Sequence, residues 1–177
     1  DEMMLLYNRE KAIVFNTFQL YRTDRLDFLK QSFEKARAKN YFLGAKLVRG
    51  AYMEKERLRA TQKNYVSPIQ KDKTQTDYDY DDALLFCIKH IDKIAFFAGT
   101  HNENSSMHLV KMMEENAIEP ANKHIYFSQL FGMSDHISFN LASAGYNVAK
   151  YVPYGPVKEV LPYLIRRAQE NTSVKGQ

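Results

Sequence analysis

Four side chains near the carboxyl terminus, Tyr163, Arg166, Arg167 and Glu170, are spaced i, i+3, i+4, i+7. On an α-helix that spacing puts all four on one face. Two neighbouring guanidiniums so placed can clamp a carboxylate or a phosphate, because each planar fork donates two parallel hydrogen bonds to two oxygens. Glu170, one turn further on, can hold one fork while the other meets the ligand. Arg-Arg by itself is better explained as a solvated last turn in which cations complement the helix dipole. The aromatic on the same face, and the Tyr-rich segment Tyr151-Val152-Pro153-Tyr154-Gly155-Pro156 that feeds the helix, turn the reading toward a binding site.

Other polar and aromatic side chains gather where apolar runs end: Gln19, Lys46, Arg49, Tyr52, Thr100, His101, Asn102, Gln129, Tyr151 and Tyr154. Packing alone does not demand that coincidence, and strand ends are where α/β folds collect their sites. Gln19 reads equally well as a site residue and as a structural amide. Lys46 and Arg49 differ by three, so on one strand they point to opposite sides. Both can serve one cavity only if the strand ends or bulges between them. His101 in isolation could be a base or a metal ligand, but no second His or Cys stands at ligand spacing. Residues His90, His108, His124 and His136 read as surface or capping residues, and Tyr52 as a rim aromatic.

These residues need a frame. Five apolar runs, 12–21, 45–52, 93–100, 124–130 and 146–153, read as strands. Between them lie amphipathic segments: one from Thr23-Asp24 through Ala36, then 53–59, 79–91, 105–116 and 134–144, with a last one at 157–171 containing Pro162. A polar stretch, 64–76, reads as a loop over the mouth of the fold. Strand, loop and helix thus alternate five times, which predicts an α/β fold of parallel strands joined by right-handed crossovers, a sheet or a barrel.

The 177 residues suffice for a sizeable core, and no linker, repeat or low-complexity segment divides them, so 1–177 reads as a single domain. A net charge of +4 comes from bases mixed with acids along the chain, which argues against nucleic acid as a partner. The one cysteine, Cys87, sits in an apolar helical run and reads as an inert core thiol in a reducing compartment. No apolar run approaches a membrane span, and no signal peptide opens the chain. Asp1-Glu2-Met3-Met4 runs directly into a helical pattern, as though a longer protein had been cut.

The segment YVPYGPVKEVLPYLIRRAQEN, with its Tyr-Leu-x-Arg-Arg-x-x-Glu-Asn core, resembles the C-terminal signature of the proline dehydrogenases, and Lys46-Leu47-Val48-Arg49-Gly50-Ala51-Tyr52 is similar to a second motif of that family. The likeness runs from about Phe15 to Val174 and is nearest to the monofunctional type. It implies a distorted (β/α)8 TIM-like barrel of which this chain holds about the last five β/α units. A complete barrel takes roughly 250 residues. The missing strands would have to be supplied, and this stretch alone is expected to be inactive.

The resemblance implies FAD-dependent oxidation of L-proline to 1-pyrroline-5-carboxylate, the first step of proline catabolism to glutamate. A hydride would go to the flavin and the electrons on to a quinone acceptor. It implies a cytoplasmic protein or one peripheral at the inner membrane, mitochondrial in a eukaryote. Substrate contacts fall to Arg166, Arg167, Tyr151, Tyr163, Tyr52 and Leu130. Flavin contacts fall to Gln19, Lys46, Arg49, Thr100, His101, Asn102, Gln129, Arg167 and Glu170. Lys46 stands where some members carry arginine, so a point charge replaces a fork. The glycine-rich dinucleotide fingerprint is absent, so a flavin would bind in the barrel manner of the family. Two other readings stand beside it. One is another flavin barrel such as methylenetetrahydrofolate reductase, which lacks the Arg-Arg face, and the other is a non-catalytic binding fragment.

Overall fold

A computed structural model describes the backbone of residues 2–174 and the side chains of residues 2–165. Its frame is a five-stranded, all-parallel sheet in the order β1-β2-β3-β4-β5, with strands Asn16–Gln19, Leu43–Val48, Ile94–Gly99, Ile125–Leu130 and Val148–Tyr151. Helices α2 Arg25–Ala38, α3 Met53–Lys63, α4 Lys73–Lys89, α5 Glu103–Glu115 and α6 Asp135–Ser143 fill the crossovers, with α1 Glu2–Tyr7 before β1 and α7 Val157–Val174 after β5. Sequential strands lie side by side throughout. That is the arrangement of consecutive β/α units in a barrel wall, without the strand-order reversal of a doubly wound sheet.

Period-two alternation decides which face is buried. Leu43, Ala45, Leu47, Ile94, Phe96, Ala98, Ile125 and Phe127 are at most 1% exposed and pack beneath the helices. Burying a large aliphatic or aromatic side chain this completely stabilises by about 1.5–3 kcal/mol. The other face carries the register row Thr17, Lys46, Phe97 and Tyr126, none of them fully buried. On it Phe97 stacks on Tyr126 at 4.9 Å and meets Phe15 edge-on at 5.0 Å. Histidine 90 caps the carboxyl end of α4 and packs its ring against Phe33 and Phe86.

Local boundaries differ from the sequence reading in two instructive places. The first apolar run is strand only over Asn16–Gln19, because Asn8 claims the backbone before it: the Asn8 side chain accepts from the N–H groups of Ile13 and Val14 and donates to the Val14 carbonyl. The stretch 64–76 is loop only to residue 72. Helix α4 begins at Lys73, where the Asp72 carboxylate accepts from the Gln75 N–H at 2.8 Å. Two i,i+4 contacts, Lys73 with Asp77 and Gln75 with Asp79, support that first turn. Proline 162 lies inside a continuous α7.

Candidate active site at the carboxyl ends of the strands

All five strands end on the same side, and a cavity of about 460 Å³ opens there, lined among others by Lys46, Arg49, Thr100, His101, Gln129 and Tyr151. Strand β2 stops at Val48, so Lys46 leaves from the strand while Arg49 leaves from the turn beyond it. The turn needs Gly50, whose φ of +131° is open only to glycine, and the Arg49 carbonyl accepts from the Tyr21 N–H at 2.7 Å. Both cations thereby reach one cavity despite their odd spacing.

Lys46 carries its ammonium 5.0 Å from the centre of the Tyr151 ring. Burial pushes its pKa below the ordinary lysine value. Tyr151 in turn meets Tyr163 of α7 edge-on at 5.8 Å. A line of contacts therefore runs from β2 through the end of β5 to the last helix. Arg166, Arg167 and Glu170 follow Tyr163 on the α7 backbone, but their side chains lie outside the described residues.

Arg49 is held on several sides. Its Nε donates to Asp77 at 2.5 Å, Nη1 to the Thr100 hydroxyl at 2.8 Å and Nη2 to Ser105 at 2.9 Å. The guanidinium carbon lies 4.3 Å from the ring centre of the fully buried Tyr80. Ser105 passes the network on, donating to Asp81 at 2.9 Å. The ammonium of Lys73 donates to the second Asp77 oxygen at 2.6 Å and also lines the cavity. Burial alone would raise the Asp77 carboxyl, but the hydrogen bonds from Lys73 and Arg49 outweigh it and hold the pKa below the usual carboxylate range.

The third strand hands over to α5 through Thr100-His101-Asn102. Asn102 caps the helix, accepting from the Ser105 N–H at 3.0 Å, and His101 Nδ1 lies 2.9 Å from the Ser134 hydroxyl. Buried Gln129 donates to the Thr100 carbonyl at 3.2 Å and accepts from Ser138 of α6 at 2.9 Å, so its amide is fixed across two strands and a helix. Leu130 and Asn102 also line the cavity. Gly99 lines the cavity where β3 packs too closely on β2 for a side chain: a Cβ there would come within 2.9 Å of both the Leu47 carbonyl oxygen and Val48 Cγ1.

Three expected residues stand apart. Gln19 ends β1 opposite Val48 and does not line the cavity. Tyr52 sits at the start of α3, 40% exposed, with the Lys55 ammonium 5.8 Å from its ring centre. Tyr154 is 99% exposed. Conversely, Lys73, Asp77 and Ser105 went unnoticed in the sequence. Lys73 and Asp77 fell in or beside the stretch read as a loop, although their i,i+4 spacing was visible. Among the described residues no group of three His, Cys, Asp or Glu side chains is placed to hold a metal ion. Nor, among the described residues, is any helix long and apolar enough to cross a membrane.

The profile of the proline dehydrogenase family matches residues 2–177. Proline dehydrogenase 1, mitochondrial, of Drosophila melanogaster is 44% identical over 98% of the chain, and the Homo sapiens protein of the same name 46% identical over 98%. The chain spans only 27% and 29% of the length of those relatives. In structure, proline utilization A from Bdellovibrio bacteriovorus, inactivated by N-propargylglycine, superposes with a TM-score of 0.83 at 26% identity, covering 89% of this chain and 16% of that one. With sequence match, strand order and strand-end cavity in agreement, the chain belongs to the proline dehydrogenase family.

Proposed function

We propose that this chain forms the proline-binding side and most of the flavin-binding wall of an FAD-dependent proline dehydrogenase. The observation that carries the reading is the partly desolvated Lys46 ammonium facing Tyr151, which itself packs on the Tyr163 face of α7. The chain contributes five parallel strands to that barrel.

The cavity suits a flat, partly anionic cofactor. Gly99 leaves one wall without a side chain, and Lys46, Arg49 and Lys73 surround the space with positive charge. Lys46, Arg49, Thr100, His101, Asn102 and Gln129 would hold FAD, with Gln19 at the neighbouring strand end and Arg167 and Glu170 from α7. When bound, FAD supplies the two-electron acceptor for oxidation of the substrate C–N bond. Lys46 favours negative charge on the group it faces, and burial makes that charge count for more than it would in water.

The protein's own part is to bind and orient. Arg166 and Arg167 grip the proline carboxylate, and Glu170 steadies one fork. Leu130, Tyr151 and Tyr163 offer the pyrrolidine ring an apolar wall, while Tyr52 lies outside the cavity lining at the start of α3. The product is 1-pyrroline-5-carboxylate, and the electrons pass to a quinone. That acceptor places the whole protein at a membrane surface as a peripheral protein, in the mitochondrion if the source is a eukaryote.

The test is L-proline-dependent reduction of a soluble quinone by the full-length protein loaded with FAD. Arg167→Met is expected to raise the proline KM by more than about ten-fold, the loss of one charge-assisted contact. No proline-dependent reduction by the unaltered protein would overturn the reading, and an unchanged KM would remove Arg167 from the clamp.

A further inference from the structure

Arg49 and Lys73 reach the cavity from different elements, the turn after β2 and the first turn of α4, yet one carboxylate joins them. The Asp77 oxygens divide the work, Oδ1 accepting from Arg49 Nε and Oδ2 from Lys73 Nζ. Arg49 is fixed further by Thr100, by Ser105 backed by Asp81, and by the Tyr80 ring. Three of its five N–H donors are therefore committed to protein, and its plane is set before any ligand arrives. A guanidinium with its own acceptors is a poor free clamp but a good preorganised charge, since it loses little freedom on binding.

From this we infer that Asp77 is a positioning residue for the cofactor: through Arg49, and with Ser105 as second support, it aims fixed positive charge at the anionic part of bound FAD. The assignment rests on the functional reading above. Its consequence runs against simple electrostatics. Asp77 is an anion close to where an anion would bind, so by charge alone its removal should tighten binding. If positioning dominates, removal weakens it. Asparagine keeps one acceptor oxygen but cannot accept from both cations, so Asp77→Asn separates the two effects.

The experiment is a double-mutant cycle on the FAD dissociation constant, read by quenching of flavin fluorescence on titration into the apo form of the full-length protein. Asp77→Asn and Arg49→Met are each expected to raise the constant by about ten-fold, the scale of one charge-assisted hydrogen bond. Together they should also raise it by about ten-fold, because with Arg49 gone Asp77 retains only its ion pair with the largely exposed Lys73. Ser105→Ala, a gentler change, should raise it by about three-fold and likewise lose its effect in the Arg49→Met background. That second cycle decides the matter if Asp77→Asn does not fold. A constant lowered or unchanged by Asp77→Asn, or a double variant near hundred-fold, overturns the assignment while leaving FAD binding intact. An unaltered protein that takes up no FAD overturns the functional reading, and this assignment with it.

Discussion

Replacing Gly50 with alanine attacks the turn that lets Lys46 and Arg49 share a cavity, and its cost can be worked from the geometry. The φ of +131° is a conformation that a Cβ disfavours, costing about 1–3 kcal/mol. The added methyl would also stand within 2.6 Å of Tyr21 Cγ and closer still to Cδ1 and Cε1. Tyr21 cannot readily step aside. It is 3% exposed, its N–H donates to the Arg49 carbonyl and its own carbonyl accepts from Gln70, both at 2.7 Å. Overpacking of this kind costs about 1–3 kcal/mol more. The loss of unfolded-chain freedom returns only about 0.4–1 kcal/mol. The net is a destabilisation of about 2–5 kcal/mol, or a Tm lower by about 5–15 °C for a chain of this size.

Gly132→Ala is the internal control. Its φ is +74°, but nothing lies within 4 Å of the added carbon, so only the backbone cost of about 1–2 kcal/mol applies. Urea unfolding of both variants, with the slope m held common, measures the difference. If Gly50→Ala costs no more than Gly132→Ala, the close packing of the turn on Tyr21 is refuted.

Two further expectations concern pH. Because burial lowers the Lys46 pKa, the folded state holds that proton less tightly than the unfolded state. The resulting deficit in stability is complete below the folded pKa and disappears as pH rises toward the ordinary lysine value of about 10.4. The stability difference between Lys46→Met and the unaltered protein should therefore shrink over that alkaline window. A difference independent of pH would show that Lys46 is fully solvated. Asp77 has the opposite sign. Its folded pKa is depressed, so its contribution is present above the unfolded carboxylate value of about 3.9 and is lost as pH falls through the folded pKa. Acid unfolding profiles of Asp77→Asn and the unaltered protein should converge on the acid side, and parallel profiles would contradict the pairing.

Periodicity made the frame legible. Five apolar runs of alternating or continuous hydrophobicity became five parallel strands, because the residues that alternate, such as Leu43, Ala45 and Leu47, are the ones the helices cover. What periodicity could not show was competition from side chains. Asn8 captures backbone that the run beginning at Ala12 would otherwise have given to β1, and Asp72 starts α4 inside a stretch whose composition suggested only a loop. The site divides the same way. Lys46, Arg49, Thr100, His101, Gln129 and Tyr151 stood out because polar groups at apolar strand ends are conspicuous. The contacts that orient Arg49 were invisible, since Asp77, Thr100 and Ser105 lie 28, 51 and 56 positions away and meet it only through the parallel crossovers. The resemblance supplied what local pattern could not, a chemistry for the cavity.

The most direct measurement is an absorbance spectrum of the full-length, FAD-loaded protein under anaerobic conditions, before and after addition of L-proline. The yellow flavin band is expected to disappear, and Arg167→Met to need a much higher proline concentration to lose it. A band that proline leaves unchanged, in a protein that has bound its flavin, would contradict the account.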